Sequence, residues 1–65
     1  MQNRIITELI SLRKERGYSL RKLAELSGVG YVHISRIENG VQSPSIDTLS
    51  KLLDALDAEL TITKR

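Results

Sequence analysis

The chain has 65 residues, with ten Lys/Arg, eight Asp/Glu, one His, a formal net charge of +2 and no cysteine. That length holds one domain and a marginal core, because so short a chain buries only about 60% of the surface it exposes when unfolded. The composition excludes a disulfide framework and a thiolate metal site, and no apolar run reaches the length of a membrane span or a signal-peptide core.

A domain of this kind rests on compact helix packing, on a partner chain, or on both. The lack of cysteine fits a reducing compartment, so a cytoplasmic protein without cofactor, metal or membrane contact is expected. The charge is unevenly placed: residues 1–40 carry seven Lys/Arg against four acids, and residues 41–65 carry three against four. The basic excess falls where a polyanion could be met, although a mixed surface of this kind is also ordinary.

Ile5, Ile6, Leu9, Ile10 and Leu12 recur at three- and four-residue steps, which predicts a first helix from about Asn3 to Arg16, ended by Gly17. Ser19 suits the N-cap of a second helix, with Leu20, Leu23, Ala24 and Leu26 as its apolar side and Gly28 as its end. Val29-Gly30 form a tight turn into a third short helix, Tyr31 to Glu38, which Asn39-Gly40 stop. Val41 to Ser43 read as a loop. Pro44-Ser45 open a fourth helix, with Ser45 as N-cap and Asp47 in the first turn, where the helix dipole favours an acid. Ile46, Leu49, Leu52, Leu53 and Leu56 form its apolar stripe.

The period then changes to two. Ala58, Leu60 and Ile62 alternate with Glu59, Thr61 and Thr63, which predicts a short strand. A lone strand leaves its ladder groups unpaired, so Leu60, Thr61 and Ile62 are expected to pair with the same strand of a second copy about a two-fold axis. A frayed tail is the alternative. The fold class is all-α: four to five helices over residues 1–57, with a short C-terminal strand over 58–65 as the dimerisation element.

The informative segment runs from Leu23 to Glu38: two short helices joined by a glycine-bearing turn form a helix-turn-helix unit. Ala24 is small where the helices cross, Val29 plugs the turn, and Ile34 and Ile37 hold the second helix on the body. Advancing about 100° per residue from Ile34 turns Val32 and Arg36 outward, flanked by His33 and Ser35, with Tyr31 at the edge of the inner side. Such a face suits the major groove of duplex DNA. Arg36 can fork onto a guanine, Val32 can pack on a thymine methyl, Ser35 can donate or accept, and His33 suits a phosphate. Taken singly, each of these residues is an unremarkable surface side chain. Glu38 turns inward, where an unpaired carboxylate is costly, so an ion pair with Arg13 of the first helix is expected.

In combination and order, Leu12-Arg13, Arg16-Gly17-Tyr18-Ser19, Leu23-Ala24, Gly28-Val29, Ile34-Ser35-Arg36-Ile37-Glu38-Asn39-Gly40, Pro44-Ser45 and Thr48-Leu49 resemble the Cro and phage-repressor type of helix-turn-helix, the XRE family. The resemblance covers about residues 5 to 56. It implies a compact repressor-like domain, usually dimeric on DNA, with Tyr31, Val32, His33, Ser35 and Arg36 facing the duplex. It also implies phosphate contacts near Leu20, Arg21, Asn39 and Gly40, and pairing of Arg13 with Glu38. The family often has Gln in place of Leu20 and Ser or Thr in place of Gly30. Leu20 has no side-chain donor, so Arg21 or Lys22 would supply the phosphate contact.

These readings point to a transcriptional regulator, most simply a repressor acting by occlusion beside a prokaryotic or phage nucleoid. Base readout is assigned to Tyr31, Val32, Ser35 and Arg36, and phosphate contacts to Arg21, Lys22, His33, Asn39 and Gly40. The alternative is an antitoxin that binds a toxin protein and its own promoter, which an exposed apolar surface would favour. An enzyme is disfavoured by a single His, no Cys and no clustered acid pair.

Overall fold

The computed structural model describes residues 4–60. Four helices follow one another: α1 (Arg4–Glu15), α2 (Leu20–Ser27), α3 (Tyr31–Glu38) and α4 (Ile46–Ala55). The Ser19 hydroxyl accepts from the Lys22 N–H at 3.0 Å, and the Ser45 hydroxyl from the Thr48 N–H at 3.1 Å. Each satisfies a donor that the first turn of its helix leaves open, worth about 1 kcal/mol. Gly28 ends α2 in the left-handed region at φ +78°, with its N–H donating to the Ala24 carbonyl at 2.9 Å. No glycine stands at the end of α4. There Asp57 takes φ +54° and the Ala58 N–H closes the helix onto the Leu53 carbonyl at 2.9 Å.

Each element sends a few side chains to one core. Leu9 comes from α1, Leu23 from α2, Val29 from the turn, Ile34 and Ile37 from α3, and Leu52 and Leu56 from α4 and its end. Burying such a side chain stabilises by roughly 1.5–3 kcal/mol. α2 packs on both α3 and α4, and α1 packs on α3. Every helix therefore depends on the others.

Two apolar expectations are corrected. Ile46 is 75% exposed and Leu26 is 46% exposed. Leu49, Leu52 and Leu56 centre the buried side of α4, and Ile46 lies roughly 90° around the helix from that centre. Leu26 lies similarly far from Leu23 and the half-buried Leu20 and Ala24 on α2. The predicted strand has no counterpart in Ala58, Glu59 and Leu60, which form no regular secondary structure. The physical reason is that a strand needs a ladder partner, and there is none among the described residues. Thr61 and Ile62, like Met1 to Asn3, lie outside the described residues.

Arg13 joins three parts of the chain. Its Nε donates to Glu38 Oε2 at 2.7 Å and its Nη2 to Glu38 Oε1 at 3.0 Å, the bidentate fork that guanidinium geometry favours. Its Nη1 donates to the Tyr18 carbonyl at 2.8 Å, while its own carbonyl accepts from the Tyr18 N–H at 3.0 Å. The Arg13 and Glu38 side chains are only 12% and 10% exposed. Arg13 therefore ties α1 both to the C-terminal end of α3 and to the loop that leads into α2.

Removing one partner of so sheltered a pair leaves the other charge uncompensated. Arg13→Ala is expected to cost about 3 kcal/mol, the lower end for buried pairs because some solvent reaches this one. A domain of this length holds roughly 3–10 kcal/mol in all, so the variant should keep about 0–7 kcal/mol and unfold at a clearly lower urea concentration than the wild type. The double variant Arg13→Met, Glu38→Leu should recover most of that loss in urea denaturation. A double variant no more stable than Arg13→Ala would show that the pair contributes more than packing can replace.

Candidate nucleic-acid interface

α3 has eight residues and a core-facing side set by Ile34 and Ile37, three positions apart and 0% and 1% exposed. Its opposite side stands clear of the body. Val32 is 59% exposed and Tyr31 44% exposed, and Arg36 is exposed as well. His33 and Ser35 are half-buried at the flanks, more sheltered than the helical wheel alone suggests. The Ser35 hydroxyl accepts from Asn39 Nδ2 at 3.4 Å, a long bond that links it to the residue just beyond the helix.

α3 starts on Gly30, whose backbone is extended at φ −60° and ψ 142° and which supplies no side-chain cap. Its far end is tightly closed. The Asn39 N–H donates to the Ser35 carbonyl at 3.0 Å and the Gly40 N–H to the Ile37 carbonyl at 3.2 Å. Those two N–H groups are thus engaged within the turn, and the Asn39 carboxamide is exposed beside them. Gly40 sits at φ +76°, so its value to this loop is conformational.

At the start of α2, Leu20 packs against the core, while Arg21 and Lys22 are exposed. Arg21 leans across to α3: its guanidinium carbon lies over the Tyr31 ring, 5.3 Å from the centroid. Sequence reasoning named both residues but missed this contact, since they stand ten positions apart on different helices and no periodicity relates them. Arg21, Tyr31, Val32, Arg36 and Asn39 are all exposed along α3 and the helix start beside it. Among the described residues no group of His, Asp and Glu has the arrangement of a metal site, and no helix is long and apolar enough to cross a membrane.

Comparison with known proteins agrees with this geometry. Residues 9–62 match the family described as Helix-turn-helix. An uncharacterized HTH-type transcriptional regulator of Haemophilus influenzae is 45% identical over 58 residues, covering 89% of this chain and 59% of its own. The HTH-type transcriptional regulator SinR of Bacillus subtilis is 47% identical over 49 residues, covering 74% of this chain and 44% of its own. PuuR of Escherichia coli, also an HTH-type transcriptional regulator, is 43% identical over 53 residues, covering 82% and 29%. The chain thus spans about three fifths of the first of these relatives and less than half of the other two.

The uncapped start of α3 is a place where stability can be added. A Cβ at Gly30 would meet nothing within 4 Å, and its backbone angles suit any residue. Gly30→Ser supplies a capping hydroxyl and removes unfolded-state freedom, together about 0.5–1 kcal/mol. In thermal melts the midpoint should rise by about 4 °C. A lower midpoint would show that the glycine serves some other constraint.

Proposed function

Because the chain belongs to the helix-turn-helix family of the Cro and phage-repressor type, we propose that it is a sequence-specific, duplex-DNA-binding transcriptional regulator that represses by occlusion. The observation that carries this reading is the division of α3. Ile34 and Ile37 anchor one side in the core, and Tyr31, Val32 and Arg36 stand exposed on the other. An α-helix presented in this way fits the major groove, whose base edges carry a distinct donor and acceptor pattern for each pair. Arg36 reads a guanine edge, Val32 packs on a thymine methyl, and Ser35 and Tyr31 contribute hydroxyls at the flanks. Arg21, Lys22, His33 and the Asn39 carboxamide meet phosphates on either side, and Gly40 contributes by shaping the turn at positive φ. Such a regulator works in the cytoplasm beside the nucleoid, and the reading includes no enzymatic step.

The protein acts as a homodimer in this reading. What supports it is an open groove of about 200 Å³ whose apolar lining is Ile46, Leu49, Leu53, Ala58 and Leu60. Ile46 and Leu60 are 75% and 46% exposed, an apolar surface that a second copy would cover. Leu60 lines that groove and is proposed to contact the second copy, with Thr61 and Ile62, which follow it in sequence, as further dimerisation residues. A toxin protein is the other partner that this apolar surface would suit, and a co-purifying second protein in place of a dimer would favour that antitoxin reading.

Selection from random duplex DNA tests the proposal. An enriched palindrome is expected, with half-site centres about 34–36 Å apart. Arg36→Ala should weaken binding by about 1–3 kcal/mol and relax preference at one base position. Lys22→Ala should weaken all sites alike and lower the salt slope by about one. Absence of any enriched sequence would overturn sequence-specific recognition. An enriched site whose selection is untouched by Arg36→Ala would overturn the assignment of α3.

A further inference from the structure

Arg21 stands in the first turn of α2 and Tyr31 in the first turn of α3. Both are exposed, and the guanidinium carbon of Arg21 lies 5.3 Å from the centroid of the Tyr31 ring, within the range at which a cation is attracted to an aromatic face. No ion pair engages Arg21 among the described residues, so its charge is available to an outside anion. The residue before it, Leu20, is turned into the core, and Ser19 uses its hydroxyl to cap α2. The charge at this edge of the interface therefore depends on Arg21 and its neighbour Lys22.

An exposed arginine has many rotamers, and ordering it on a phosphate is costly unless something orders it beforehand. The Tyr31 ring is placed to do this, lying beside the guanidinium where the starts of the two helices come together. With one ring face under Arg21, Tyr31 cannot stack on bases through both faces.

We propose that Tyr31 is a positioning residue for Arg21, holding its guanidinium where a phosphate of bound duplex DNA lies, so that the two act as one unit. The inference rests on the reading of α3 as the DNA-facing helix and adds to it a specific coupling.

The experiment is a double-mutant cycle on Arg21→Ala and Tyr31→Ala, with Tyr31→Phe as the variant that keeps the ring. Affinity for a selected duplex is measured across a series of salt concentrations. Each neutralised phosphate contributes about 0.9 to the slope of log affinity against log salt. Arg21→Ala should lower the slope by about one contact, and Tyr31→Ala should lower it in the same direction. The double variant should show no more loss of slope than Arg21→Ala alone, and the coupling between the two sites should be about two- to five-fold in affinity. Tyr31→Phe should keep the wild-type slope while changing base preference through the lost hydroxyl.

In the free protein, the Arg21 side-chain protons should show an upfield ring-current shift in the wild type and in Tyr31→Phe, but not in Tyr31→Ala. Dispersed signals of the core methyl groups of Leu9, Leu23, Ile34 and Ile37 in the same spectra show that the variants are folded. A wild-type slope in Tyr31→Ala, or losses that add in the double variant, would overturn the coupling while leaving DNA binding intact. Absence of the ring-current shift in the wild type would overturn the stack itself. A wild-type protein with no salt-dependent affinity for any duplex would instead overturn the DNA-binding reading on which the inference rests.

Discussion

An isolated helix needs about 12–15 residues before it is even marginally stable in water, and α2 and α3 have eight each. The α2–α3 unit therefore exists only while other parts of the chain hold it. Leu23, Val29, Ile34 and Ile37 do this from below through the shared core. Arg13 does it from the side, by forking onto Glu38 at the last turn of α3 and by holding the Tyr18 carbonyl ahead of α2. With α3 anchored along one side and at its end, its outer surface is presented in a fixed orientation. Pre-organised groups lose less freedom on binding than mobile ones.

The same residues set stability and function apart from one another. A helix with apolar anchors three residues apart necessarily turns its other side chains outward, so the spacing that buries Ile34 and Ile37 also exposes Val32 and Arg36. The neighbouring helix shows a similar division between adjacent residues. Leu20 goes to the core, and Arg21, about 100° further around α2, goes to solvent and reaches Tyr31. The polar interface thus takes nothing from the core, apart from the Arg13–Glu38 pair, whose three hydrogen bonds satisfy the charges that it shelters.

Much of this was legible in single residues. Ser19 and Ser45 announce helix starts because a hydroxyl accepts the N–H groups that a first turn leaves open. Gly28 announces an end because it takes a left-handed conformation without cost. The pairing of Arg13 with Glu38 was legible because an inward carboxylate demands a cation. Other features carried no such signal. Asp57 closes α4 at positive φ, where a glycine is the usual mark. Ile46 looks like part of an apolar stripe yet is exposed, because a stripe drawn from spacing alone does not show where the neighbouring helices stop.

The sequence by itself determined the four helices, their boundaries to within a residue or two, the turn between α2 and α3, and which side of α3 is buried. All of these follow from local capping chemistry and from a 3.6-residue period, both of which are written in neighbouring positions. Only the tertiary structure decided that Arg21 lies over Tyr31, that the Asn39 and Gly40 N–H groups are engaged in the turn, and that Ile46, Leu53 and Leu60 line one open apolar groove. Those depend on how separate helices are set against one another in space. That arrangement is fixed by the packing of the whole core, and no stretch of sequence short enough to be read locally contains it.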